Sequence, residues 1–114
     1  MDAMAYDEEL ASRIRALLGD APDVTEKKMF GGLAFLVRGN MAIAASGQGG
    51  VLVRVDPTRS DEFVATTGAY VAEMRGRLMR GWLRVDADRL GTDPELAFWV
   101  ETGAEFARSL PAKS

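Results

Sequence analysis

The stretch LAFLVRGNMAIAAS, residues 33–46, constrains the fold more than any other part of the chain. Two apolar runs flank Gly39-Asn40, a pair of the glycine-and-asparagine kind that closes two-residue hairpin loops. With that pair as the loop, Arg38 stands opposite Met41, Leu36 opposite Ile43 and Phe35 opposite Ala44, so that large side chains meet small ones across the strands. The turn GQGG then leads into VLVRV. Residues 33–55 are therefore expected to form a three-stranded antiparallel meander.

The flanking segments supply helices that can cover such a sheet. Tyr6, Leu10, Ile14, Leu17 and Leu18 fall at helical spacing, and Asp7, Glu8 and Glu9 stand where the helix dipole favours acids. This predicted helix ends at Leu18-Gly19, before the breaker run DAPD, and VTEKKMF reads as a strand. In DPTRSDEFVATTG, Asp56 suits an N-cap, Pro57 the first helical position, and Phe63, Val64 and Thr67 an inner face that Gly68 ends. AYVAEM and GWLRV alternate as strands around an RGRLMR turn. Asp93-Pro94 repeats the cap-and-proline pattern, and Leu96, Trp99, Gly103, Phe106 and Leu110 form the seam of a last helix. Gly103 in that seam points to a close neighbour, since glycine otherwise costs a helix about 1 kcal/mol relative to alanine. The order α-β(β)ββ-α-ββ-α does not alternate as parallel-sheet folds do. It predicts an α+β domain, an antiparallel sheet of five to six strands with helices on one face, and 114 residues make this a single domain over 1–114.

Composition narrows the chemistry. The chain has no cysteine and no histidine, which removes disulfides, thiolate nucleophiles, zinc-thiolate sites and the commonest general base at neutral pH. The expectation is a non-enzymatic protein with no cofactor and no metal. Asp7, Glu8 and Glu9 read as helix-start charges rather than metal ligands. The opening residues are acidic, and no stretch matches a signal peptide or a membrane span, so a cytoplasmic address and no membrane partner are expected. The net charge of −3 hides a segregation, because residues 27–84 hold nine basic residues against four acidic ones. A local basic face can therefore form on an acidic protein.

Two stretches are candidates for binding. In KKMFGGLAF, Lys27 and Lys28 precede Gly31-Gly32, which leads into a strand rather than a helix and so reads as a bulge or tight turn rather than a phosphate loop. Extended backbone sends Lys27 and Lys28 to opposite faces. In MRGRLMRGW, Gly76 and Gly81 allow turns from which Arg75, Arg77 and Arg80 project toward an anion or a partner, unless Glu73 or Asp86 pairs with them. Met29, Met41, Met74 and Met79 are expected to fill core gaps, and Trp82 and Trp99 to anchor the core rather than stack on bases.

Taken together, KKMFGGLAFLVRGNMAIAA, VLVRVD and EMRGRLMRGWLRV resemble the N-terminal domain of the TfoX/Sxy family, bacterial regulators of natural competence, from about Glu8 to Phe106. The resemblance implies a two-layer sandwich with an antiparallel sheet, without catalytic residues or cofactor, here as a stand-alone first domain. It implies a transcription or competence-type regulator acting through a protein partner, the transcription machinery included. Lys27, Lys28, Arg75, Arg77 and Arg80 are then the candidate contact surface, and Gly31, Gly32, Gly39, Gly76 and Gly81 shape the turns. A homodimer is compatible with this reading. A second reading makes the chain a small-molecule binder or an enzyme, in which Arg75, Arg77 and Arg80, with Lys27 or Lys28, hold a small anionic ligand or substrate. Direct DNA binding is disfavoured, because no helix is basic: Arg13 and Arg15 stand alone on the first, and Glu95, Glu101 and Glu105 crowd the last.

Overall fold

The computed structural model describes residues 6–29 and 31–113. In chain order these form α1 (Glu8–Leu18), β1 (Val24–Met29), β2 (Gly32–Val37), β3 (Asn40–Ala45), β4 (Val51–Arg54), α2 (Ser60–Thr67), β5 (Tyr70–Met74), β6 (Arg77–Val85) and α3 (Asp93–Ser109). The strands make one antiparallel sheet in the order β1-β2-β3-β4-β6-β5, and the α+β class and element order match the sequence expectation. Side-chain caps set the starts of α1 and α3 and of the 3-10 turn that leads into α2. Asp7 accepts from the amides of Glu9 and Leu10 at the start of α1. Asp56 caps a 3-10 turn, Pro57–Arg59, that feeds α2, and Gly68 ends α2 in the left-handed region. At α3 the cap is Thr92 rather than Asp93. Its hydroxyl accepts from the Glu95 amide while Glu95 accepts from the Thr92 amide, a reciprocal capping box.

The expected hairpin register needs correction. The two-residue loop is Arg38-Gly39, not Gly39-Asn40, and the pairs are Val37 with Asn40, Leu36 with Met41, Phe35 with Ile43 and Ala34 with Ala44. A primed hairpin turn requires positive φ at both central residues, and Arg38 (φ 53°) and Gly39 (φ 82°) supply it. Arg38 is held there from both sides: its amide donates to the Asp23 carbonyl and its own carbonyl accepts from the Lys113 amide, each at 2.8 Å. Asn40 is thereby freed to enter the strand, buried, with its side-chain amide donating to the Pro111 carbonyl at 2.9 Å. A bulge between Phe35 and Leu36 completes the shift and lets Ala42 and Ile43 both face the helices.

The second hairpin is corrected in the same way. The loop is only Arg75-Gly76, with Met74 opposite Arg77, and β6 runs nine residues from Arg77 to Val85. Arg75 (φ 53°) and Gly76 (φ 77°) repeat the Arg-Gly turn of the first hairpin. Gly81 is not a turn residue. It lies in an irregularity where Val71 pairs with Leu83 but Ala72 pairs with Met79, so that Arg80, Gly81 and Trp82 bulge away from β5.

The sheet has two unlike faces. One cross-strand row, Glu26-Phe35-Ile43-Val53-Leu83-Val71, faces the helices, and Phe35, Ile43, Val53 and Leu83 are fully buried there. Each such side chain stabilises the fold by about 1.5–3 kcal/mol. From α3, Leu96, Trp99, Val100, Gly103, Ala104 and Ala107 close this core, so the stripe departs from the predicted seam at Phe106 and Leu110, which are only half-buried. Leu10 and Ile14 of α1 and Phe63 of α2 complete it. A smaller apolar cluster of Ala34, Met41, Ala44, Leu52 and Ala72 lies on the opposite face and includes no helix residue.

Candidate functional site

Sheet order decides the fate of the predicted cationic cluster. Lys27 and Lys28 stand on β1 and Arg75 follows β5, and these two strands are the opposite edges of the sheet. The five cations therefore do not converge. Lys27 pairs with Ala34 and shares the open face, whereas Lys28 pairs with Leu33 and shares the helix face. Arg75 is exposed at the tip of the second hairpin. Arg77, opposite Met74, stands at the margin of the open face, while Arg80, in the bulge, reaches back to α2 and meets Asp61 at 3.1 Å. The glycines serve the backbone: Gly31 (φ 76°) precedes β2, and a Cβ on Gly32 would run into the Ala45 carbonyl oxygen. The Gly81 amide donates to the buried Ser60 hydroxyl at 2.7 Å and its carbonyl accepts from the Val55 amide at 2.8 Å, tying the bulge to the start of α2.

What the strands assemble instead is the open face. Its central row crosses all six strands as Lys27-Ala34-Ala44-Leu52-Arg84-Tyr70. Two alanines and a leucine make a low floor, with half-buried Leu36 and Trp82 and buried Met41 beside it. Met29, Met41 and Trp82, expected in the core, belong to this second cluster. Met74 and Met79 join them around a cavity of about 160 Å³ lined also by Leu52, Ala72, Trp82 and Arg84. Period-two alternation missed the face because β3, MAIAA after Asn40, is apolar on both sides, as a strand covered on two faces would be. The one readable signal was the excess of methionine and alanine in segments whose other face already supplied a core.

The electrostatics of the two faces also differ. The six ion pairs among the described residues are Arg13–Asp93, Arg15–Glu26, Arg38–Asp23, Arg59–Glu62, Arg80–Asp61 and Arg108–Asp23, and every one involves a helix or a connecting segment. The Arg108 guanidinium holds the Asp23 carboxyl below its ordinary range, and Arg15 does the same to Glu26. Lys27, Arg77 and Arg84 have no carboxylate partner among the described residues. Arg84 donates to the Ser46 hydroxyl at 2.8 Å, a neutral acceptor that leaves its charge uncompensated. Arg54 lies with its guanidinium 5.1 Å from the Trp82 ring centroid and 5.8 Å from that of Phe106, a cation–π arrangement at the margin of the sheet. No strand position on the open face carries an acid. At its rim, Asp86 accepts a hydrogen bond from the Tyr70 hydroxyl at 2.9 Å, which raises the phenol above its ordinary pKa and keeps it protonated.

Among the described residues, no three acids gather in a metal-holding arrangement, and no helix is long and apolar enough to cross a membrane. A family model for the TfoX N-terminal domain matches residues 16–107. No curated protein matches the chain.

Proposed function

The chain belongs to the TfoX N-terminal domain family, and from that premise we propose that it is a non-catalytic cytoplasmic module that regulates by touching a protein partner through its open sheet face. The setting its family suggests is competence-type control of transcription. One observation carries the reading: an apolar, alanine-floored sheet face with no acid at any strand position, whose cations Lys27, Arg77 and Arg84 have no carboxylate partner among the described residues. Such a surface has the apolar centre and charged rim of a protein-binding patch. The small-anion reading, with Arg75, Arg77 and Arg80 and either Lys27 or Lys28 as the grip, loses support, because both lysines stand on the opposite sheet edge from the arginine hairpin and Arg80 is engaged by Asp61. Binding of DNA through a helix loses support as well, since Arg13 and Arg15 of α1 are engaged by Asp93 and Glu26.

The test is site-specific photo-crosslinking in the source cells. A photoreactive residue at Arg77 or Lys27 is expected to capture one and the same protein, and the same probe at Glu101, on the exposed side of α3, is expected to miss it. Capture from Glu101 alone, or from none of the three, would overturn the reading.

A further inference from the structure

We infer that the cavity between β4, β5 and β6 receives one bulky apolar side chain from an acidic partner segment, with Arg84 and Arg77 taking carboxylates beside it. This rests on the open face being a protein interface. The cavity exists because of the bulge: where β6 carries Arg80, Gly81 and Trp82 between the residues facing Val71 and Ala72, the ladder parts and a hollow opens beside Trp82. Its floor is Leu52 and Ala72, and its walls are Met74, Met79 and the Trp82 ring. A volume of about 160 Å³ is close to the roughly 150 Å³ that admits one benzene-sized group. Two thioether walls adapt to the shape of an aliphatic or aromatic anchor. A buried anchor of this kind is what dominates binding energy in protein interfaces.

The chemistry around the anchor follows from charge. Arg84 lines the cavity itself, and its guanidinium has a hydroxyl rather than a carboxylate as partner. Arg77 stands opposite cavity-lining Met74. Both forks are thus available for bidentate carboxylate recognition. A second copy of this chain fits poorly, since a face-to-face pair would set two uncompensated cationic faces against each other. A single-stranded nucleic acid fits less well than an acidic peptide, because stacking needs free rings and Trp82 already carries Arg54 on it while the rest of the cavity wall is aliphatic.

The experiment uses the full chain and a series of short synthetic peptides with an Asp/Glu/Ser background and a central Leu, Phe or Ala, plus a Lys/Ser version of the Leu peptide. Binding is followed by backbone amide NMR, and sedimentation and an oligo-dT probe run in parallel. The Leu or Phe peptide is expected to bind at least about tenfold tighter than the Ala peptide, with shifts confined to β4, β5 and β6, and the Lys version is expected not to bind. Ala72→Leu fills the cavity and should abolish binding. Because Ala72 is buried, Arg77→Gln with Arg84→Gln serves as the second variant, expected to keep the melting temperature and weaken acidic-peptide binding by about tenfold. Equal binding of the Leu and Ala peptides, no binding by any, or occupancy of the face only by oligo-dT or by a second copy overturns the proposal. If crosslinking from Arg77 finds a partner while the peptides are not discriminated, the cavity assignment fails and the open-face reading stands. If crosslinking from the open face finds none, that reading fails with it.

Discussion

At the scale of residues, the chain places the dipeptide Arg-Gly twice at positions that demand positive φ. Arg38-Gly39 and Arg75-Gly76 both close two-residue turns whose backbone twist suits antiparallel strands. A glycine takes that conformation freely, but an arginine is strained in it. Arg38 is compensated by backbone bonds to Asp23 and Lys113 and by an ion pair with Asp23 at 3.8 Å. Arg75 has no ion pair among the described residues. Arg75→Asn should therefore stabilise the protein by about 0.5–1 kcal/mol, because asparagine tolerates the left-handed region. A urea midpoint that rises without a change in slope would confirm it, and a fall would mean that the arginine side chain has a partner that matters. The dipeptide also accounts for the misplaced loop: Gly-Asn and Arg-Gly overlap by one residue, and local preference favours the first. Asn40 is worth more in the strand, where its amide reaches Pro111.

Elements depend on how closely they approach. Gly103 lets α3 descend onto β3 until a Cβ there would run into the Ala42 carbonyl oxygen and crowd Val53. Helix propensity alone argues for Gly103→Ala as an improvement of about 1 kcal/mol. Packing argues the reverse and wins, since backbone oxygen cannot swing aside as a side chain can. The variant should lose about 1–3 kcal/mol in chemical denaturation, the range expected for an overpacked core. An unchanged or raised midpoint would show that α3 can lift off the sheet at small cost. This close approach was legible in the sequence, because a glycine in an apolar helical seam marks the place where a neighbouring backbone comes near. The long β6 was not, because Gly81 reads locally as a turn and becomes a bulge only through Ser60 and Val55, which come from a distant segment.

For the whole molecule, carboxylates set the acid limit of stability. Asp23, Glu26, Asp56 and Glu95 all have folded-state pKa values lowered from 3.8 or 4.5, by Arg108, Arg15, the Thr58 amide and the Thr92 amide respectively. A lowered folded pKa means that stability is fully present above the unfolded value and is lost as pH falls through the folded one. With no histidine in the chain, the melting temperature should stay level from about pH 8 to about pH 5 and fall steeply below about pH 4. Asp23→Asn should lower the plateau and shrink the acid drop. A large change in melting temperature between pH 6 and pH 7 would contradict this expectation. At the alkaline end the sign reverses: the raised Tyr70 phenol contributes below its unfolded value of 10.0 and is lost as pH climbs through the folded one.

The sequence alone determined what local chemistry dictates. Helix starts followed from side chains that cap neighbouring amides, the meander from apolar runs between turn residues, and the α+β class from the order of elements, because each of these depends on residues a few positions apart. Only the tertiary structure decided the register of both hairpins, the bulge in β6, and the separation of Lys27 and Lys28 from Arg75, Arg77 and Arg80 across the full width of the sheet. It also decided that Met29, Met41, Met74, Met79 and Trp82 face away from the helices, beside a row that takes one residue from each of six strands. The physical reason is that a cross-strand row is built by hydrogen-bond pairing between segments far apart in sequence. A slip of one residue in that pairing sends a side chain to the other face.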